Sequence, residues 1–204
     1  RVISFTGRLI PEKGIRQLVS AVKAINLSRI ENKQLPVYLV IAGDGPLYQE
    51  IQKISDSYTI MTGQIDFEHI VKLLDASDIF CLPSDSEGFP TSVLEAVACK
   101  CFVITTYQGG ARELLINEEY GIIMKDNTTE LIQENLEKVL ENDTYRLRAE
   151  EKSYERLVQY FTWNATAKKV MQIAEKMKKS PKAIDNALQR IKSKIRVFRS
   201  DSAV

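Results

Sequence analysis

Ile79-Phe80-Cys81-Leu82-Pro83-Ser84-Asp85-Ser86-Glu87-Gly88-Phe89-Pro90-Thr91-Ser92-Val93-Leu94-Glu95-Ala96 decides how this chain is read. Four apolar residues closed by a proline read as a short buried strand. A Gly/Pro loop follows, and residues 91–98 carry helical patterning. Strand, tight loop and helix N-terminus in that order make an anion site, because the first N–H groups of a helix have no partner within it. Glu87 on the loop and Glu95 one turn into the helix add carboxylate acceptors for hydroxyl groups. Phosphate donors beside hydroxyl acceptors suit a ligand such as a nucleotide-sugar.

Outward from this segment, apolar runs at 2–5, 37–42, 59–61, 79–82, 102–105 and 121–124 alternate with helical patterns at 15–27, 47–55, 66–76, 91–98 and 111–115. Short apolar strands alternating with helices predict an open α/β architecture: a Rossmann-like parallel sheet of about six strands flanked by helices. In such sheets ligands gather outside the carboxyl ends of the strands. Past Met124 the strand signal fades, and 128–141, 143–160 and 162–178 read as three C-terminal helices, with Asn127-Thr128-Thr129-Glu130 and Asn142-Asp143-Thr144 as capping stretches. The expected division is a domain over 1–178 and a basic amphipathic tail over 179–204. In that tail Ile184, Leu188, Ile191 and Ile195 share a helical face opposite Lys182, Arg190, Lys192, Lys194, Arg196 and Arg199.

Composition narrows the function. The 204 residues are 44% hydrophobic, enough for a sizeable core, and the formal charge of +1 argues against nucleic acid as a partner. No run is long and apolar enough to span a membrane, and no signal peptide is seen. The opening strand Arg1-Val2-Ile3-Ser4-Phe5 has no lead-in, which suggests a boundary inside a longer protein. Cys81 reads as a core residue. Cys99 and Cys101 lack a second pair or a nearby histidine, so zinc is not expected. Free thiols suit a reducing, cytoplasmic setting. The lone histidine, His69, reads as a surface or packing residue.

Each remaining motif follows a predicted strand. Thr6-Gly7-Arg8-Leu9-Ile10-Pro11-Glu12-Lys13-Gly14 offers a close backbone turn at Gly7, a guanidinium fork at Arg8 and a point charge at Lys13, all suited to a diphosphate. Ala42-Gly43-Asp44-Gly45-Pro46 reads equally as a tight turn or a ligand contact. Gly63 permits close approach, and the backbone at Gln64 and Ile65 suits the edge of a base, though taken alone an ordinary turn is the favoured reading of this segment. Tyr107-Gln108-Gly109-Gly110-Ala111-Arg112-Glu113 is a second glycine pair before a helix, either an anion nest or a plain turn. Glu87 and Glu95 suit two ends of an extended ligand better than the two sides of one bond.

Taken in order, these segments resemble glycosyltransferase family 4, a group of retaining enzymes of the GT-B fold. The resemblance rests on Gly-Arg-Leu-x-Pro-Glu-Lys-Gly at 7–14, Ala-Gly-Asp-Gly-Pro at 42–46, Gly63, Pro-Ser-x-Ser-Glu-Gly-Phe-Pro-x-x-x-Leu-Glu-Ala at 83–96, Gly-Gly-x-x-Glu at 109–113, Tyr-Gly-Ile at 120–122 and Phe161-Thr162-Trp163. It spans roughly 1–178 and implies the C-terminal, donor-binding half of a two-domain enzyme.

The resemblance further implies retaining transfer from a UDP-hexose or UDP-N-acetylhexosamine to a saccharide or lipid-linked acceptor, as in polysaccharide assembly. Arg8, Lys13 and Glu87 would be catalytic. The two cations would steady the leaving diphosphate, and Glu87 would meet the transferred sugar beside backbone around Gly88, Phe89, Pro90 and Thr91. Gly7, Gly63, Gln64, Ile65, Val93, Leu94 and Glu95 would complete donor binding, with Glu95 on the ribose. No metal or cofactor is implied. The acceptor would be held by an N-terminal domain, without which the isolated chain would transfer poorly. The tail suits either an anionic membrane surface or packing on protein. A non-catalytic nucleotide-sugar module and a GT-B nucleotide-sugar epimerase are the alternative readings.

One departure stands out. Where the family reads Ala-Cys-Gly-x-Pro-Val, this chain has Ala98-Cys99-Lys100-Cys101-Phe102-Val103. The helix-ending glycine becomes a lysine, and the proline a phenylalanine.

Overall fold

A computed structural model describes residues 1–88, 90–107 and 109–176. Among them lie six strands: β1 (Val2–Thr6), β2 (Tyr38–Ala42), β3 (Thr59–Gly63), β4 (Ile79–Leu82), β5 (Phe102–Thr106) and β6 (Ile122–Met124). They form one sheet in the order β3-β2-β1-β4-β5-β6, each neighbouring pair parallel. The helices are α1 (Ile15–Glu31), α2 (Tyr48–Ile54), α3 (Phe67–Asp75), α4 (Thr91–Ala98), α5 (Ala111–Leu114), α6 (Thr129–Leu140), α7 (Asp143–Tyr160) and α8 (Trp163–Lys176). This is the Rossmann-like parallel sheet that the alternation predicts, and the half of a GT-B fold that the resemblance implies. Strand order reverses between β1 and β4, so the loops leaving these two strands diverge there and open a crevice.

The central strands are apolar because both faces are covered. Every residue of β4 and β5 is buried, whereas edge strand β3 alternates between intermediate and exposed positions. Phe5, Phe80 and Phe102 are the largest fully buried side chains, and α1 adds Leu18, Val19, Val22 and Ile25 from one stripe. Cys81 lies in this core, where burial alone pushes its thiol far up.

Among the boundaries that differ from the sequence reading, two have identifiable reasons. β2 starts at Tyr38 because Val37 gives both backbone groups to the buried Asn26 amide, its N–H donating to Oδ1 at 2.8 Å and its carbonyl accepting from Nδ2 at 3.0 Å. α1 runs on to Glu31, past the end of its apolar stripe, so Leu27 and Ile30 stay exposed. The segment 37–42 and the helix 15–27 were both legible, but these bonds are not local patterns.

The departure at 100–102 is accommodated by α7. Lys100 takes a left-handed conformation, φ 58°, and its N–H closes the end of α4 on the Val97 carbonyl at 3.0 Å. A lysine pays a steric cost there that glycine does not. Its ammonium, however, pairs with Glu151 at 2.7 Å and sits 4.9 Å from the centre of the Tyr154 ring. Phe102 packs edge-on against Tyr145 at 5.3 Å. Both unusual residues therefore hold the same helix.

The described fold divides into compact units over Arg1–Leu157 and from Val158 onward. Within the second, α8 follows a Thr162 whose hydroxyl accepts from the Ala165 N–H at 3.2 Å. The expected tail over 179–204 lies outside the described residues. Among the described residues no helix is long and apolar enough to cross a membrane.

Candidate functional site

Glycines let the loops after β1 and β2 meet backbone to backbone. The Gly7 N–H donates to the Ala42 carbonyl at 3.0 Å, and the Leu9 N–H to that of Asp44 at 2.9 Å. A Cβ on Gly43 would stand 1.8 Å from the Gly7 carbonyl oxygen, which no side chain tolerates. Between these loops and the start of α3 lies a pocket of about 510 Å³, lined by Gly7, Arg8, Ala42, Gly43, Asp44, Gly45, Gln64, Ile65 and Ile70. Four of these, Gly7, Arg8, Gln64 and Ile65, are sequence-predicted site residues. Arg8 is exposed, and its guanidinium has no hydrogen-bond or ion-pair partner among the described residues.

The loop after β4 is pinned from three sides. The Glu12 carbonyl accepts from the Asp85 N–H at 2.7 Å and the Ser84 hydroxyl at 3.0 Å. The Asn127 amide donates to the Pro83 carbonyl at 3.2 Å, and the Thr106 hydroxyl to that of Ser84. Gly14, left-handed at φ 65°, would drive a Cβ to 2.1 Å from the Pro83 oxygen. Farther along, Gly110 donates to the Gly88 carbonyl at 3.0 Å, and Gly109 fits against that oxygen only without a side chain. Fixed backbones on both sides bring the Lys13 ammonium onto the Glu87 carboxylate as an ion pair, both side chains mostly buried. Phe89 and Gln108 lie outside the described residues.

Helix α4 opens at Pro90, which offers no capping side chain; the Val93 N–H bonds to the Pro90 carbonyl at 3.1 Å. The N–H groups of Thr91 and Ser92 find no partner among the described residues. Val93 turns its side chain into the core, while Leu94 and Glu95 are half-buried. The Glu95 carboxyl likewise has no partner among the described residues, and burial raises its pKa. A carboxylate partly desolvated and unpaired is a costly arrangement with a use for incoming donors. Glu95 and the Lys13–Glu87 pair lie outside the pocket lining itself.

Five pocket residues went unassigned in the sequence, Ala42 among them as the last residue of β2. Gly43, Asp44 and Gly45 read equally as a turn, and Ile70 belongs to the apolar pattern of α3. His69 is exposed: its N–H and ring nitrogen both meet Asp66, which caps α3. No group of three or more His, Cys, Asp or Glu gathers as a metal site among the described residues.

The family described as "Glycosyl transferases group 1" matches residues 1–156. The chain belongs to this family. The match ends within a residue of the first compact unit. A putative teichuronic acid biosynthesis glycosyltransferase of Bacillus subtilis is 30% identical over 168 residues, 82% of this chain and 40% of that protein. An uncharacterized glycosyltransferase of Methanocaldococcus jannaschii is 27% identical over 180 residues, 86% of this chain and 45% of its own length. The group 1 glycosyl transferase chain thus spans less than half of these relatives.

Among solved structures, the C-terminal domain of a glycosyl transferase group 1 family protein from Francisella tularensis shares the fold at TM-score 0.68 and 24% identity, covering 79% of this chain and 86% of that one. Anabaena HepE, solved with UDP and glucose, shares it at TM-score 0.68 and 20% identity, over 87% of this chain and 48% of HepE.

Proposed function

We propose that this chain carries the donor site of a retaining glycosyltransferase that takes a UDP-hexose or UDP-N-acetylhexosamine. The observation that carries the reading is an exposed Arg8, unpaired among the described residues, lining a pocket shared with Gln64 and Ile65, beside the strand-order reversal. A guanidinium without a carboxylate there has its fork available for a diphosphate. The N–H groups of Thr91 and Ser92, without a partner among the described residues, add anion donors at the start of α4.

In this reading Arg8 and Lys13 neutralise the charge that grows on the departing nucleotide, the electrostatic share of catalysis. Glu87 accepts from sugar hydroxyls, with Gly88 and its neighbours supplying backbone. Glu95 accepts from the ribose. Gln64 and Ile65 meet the base through backbone, with Gly63 leaving open space. Two protein cations make a metal unnecessary. The acceptor, a saccharide or a lipid-linked one, belongs to the part of the protein that the relatives possess beyond this chain. Anabaena HepE, with UDP and glucose, supports the choice of ligand class. Three free cysteines suit a reducing cytoplasm.

Calorimetric titration with UDP, GDP and their sugar derivatives tests the reading, beside Arg8→Ala and Glu95→Ala. Saturable binding of one nucleotide, weakened by both substitutions, is expected. Binding indifferent to both would move the site elsewhere. Conversion of the donor sugar in the absence of any acceptor would mark an epimerase instead.

A further inference from the structure

Lys13 and Arg8 come from one loop and are assigned to the same diphosphate, yet they stand in opposite electrostatic states. Arg8 is exposed with no partner among the described residues. Lys13 is already neutralised by Glu87, its side chain 21% and the carboxylate's 13% exposed. The pairing is imposed by backbone: Glu12, next to Lys13, accepts from both Ser84 and Asp85, while Gly110 holds Gly88. Neither loop can move its backbone away from the other without breaking these bonds.

An incoming diphosphate must therefore take Lys13 from Glu87, or bind beside a carboxylate of its own sign. A bare nucleotide diphosphate gives Glu87 nothing in return, and leaves a partly buried carboxylate without its cation. A nucleotide-sugar places hydroxyl donors on the same carboxylate, so Glu87 exchanges one set of partners for another. We infer that Glu87, through its ion pair with Lys13, sets the selectivity of the site for a nucleotide-sugar over the bare nucleotide diphosphate. This inference rests on the donor-site reading above and adds to it a role in rejecting the product. Glu87 thereby acts on nucleotides that carry no sugar for it to touch.

The test is titration of the full chain with UDP and with UDP-N-acetylglucosamine, comparing the unsubstituted protein with Glu87→Gln. The amide keeps the shape and removes the charge. UDP is expected to bind about three- to tenfold more tightly to Glu87→Gln, the scale of a partly buried ion pair. The sugar nucleotide gains less, so the ratio of the two dissociation constants narrows. In a Lys13→Gln background the same substitution should give no gain, closing a double-mutant cycle. Should Glu87→Gln melt early, Glu87→Asp, one methylene shorter, is expected to shift UDP binding in the same direction. UDP affinity unchanged or weaker in Glu87→Gln overturns the inference while leaving the donor site in place, as does a gain that survives loss of Lys13. Failure of UDP, and of GDP run alongside, to bind either protein removes the donor-site reading itself and the inference with it.

Discussion

At the amino ends of the strands, Arg1 bonds Asp78 at 2.9 Å and also reaches Asp143, while Arg146 pairs with Glu150 at 2.5 Å and with Asp78 at 3.6 Å. At the carboxyl ends, Arg8 and Glu95 have no partner among the described residues, and Lys13 is held only by Glu87. The same residue types do different work at the two edges of one sheet. Charges at the amino end satisfy each other and lock α7 to β1 and β4. At the carboxyl end Arg8 and Glu95 are left to be satisfied by something else, and glycines let the loops meet backbone to backbone there, alongside the Lys13–Glu87 and Arg16–Glu50 pairs. Stability and ligand recognition are thus segregated along the strand direction, as the strand-order reversal allows.

Substitutions break this comparison in different ways. The largest effect on folding is expected from Arg146→Met, which strands a buried Glu150 and should destabilise by about 3–5 kcal/mol, read by denaturant unfolding. UDP affinity measured well below the transition should not change. Burial already raises the Glu150 carboxyl and Arg146 opposes that rise, so the loss should be smallest in acid, where protonation relieves the orphaned charge. Arg8→Ala should do the reverse: UDP binding weaker by about 1.5–3 kcal/mol, the range of a hydrogen bond to a charged group, at an unchanged melting temperature. A melt lowered by Arg8→Ala would mean that its guanidinium has a structural partner.

Glu95 sharpens the contrast, because its cost to the fold and its use to a ligand have opposite signs. Burial raises its pKa from the ordinary 4.5, so the folded chain holds this proton more tightly than the unfolded one. Its contribution to stability then falls as pH rises from 4.5 through the folded value. Glu95→Gln should raise the melting temperature at neutral pH, with the gain shrinking in acid, and should weaken UDP binding. A melt that falls instead would show a partner for this carboxylate. The smallest effect is expected from Lys100→Gly, where relief of the left-handed backbone offsets the lost contacts to Glu151 and Tyr154; thermal melts should nearly coincide.

Much of this was legible in the sequence where the signal is local. β4 and α7 fall where apolar runs and helical periodicity place them, and central strands announce themselves because burial on both faces favours apolar residues, the buried Thr105 and Thr106 hydroxyls each bonding a carbonyl. Positions 7–14 and 83–96 could be recognised because glycine, proline and charge sit in fixed order. Pairings between loops were not legible. That Lys13 meets Glu87 depends on the crossover that sets β4 beside β1, and that Asn127 serves the Pro83 carbonyl rather than a helix cap depends on the chain after β6 returning past β5 to the loop after β4. Asp44 and Ile70 were missed for the same reason: a turn and an amphipathic helix explain them fully until the fold turns both toward one pocket.

Hydrogen–deuterium exchange with and without saturating UDP tests the segregation most directly, because it reads both edges of the sheet in one experiment. The account predicts slowed exchange over residues 7–14, 43–45, 63–65 and 88–95, with no change at 78 or 143–150. Protection confined to the amino-end network, or spread equally over both edges, would contradict it.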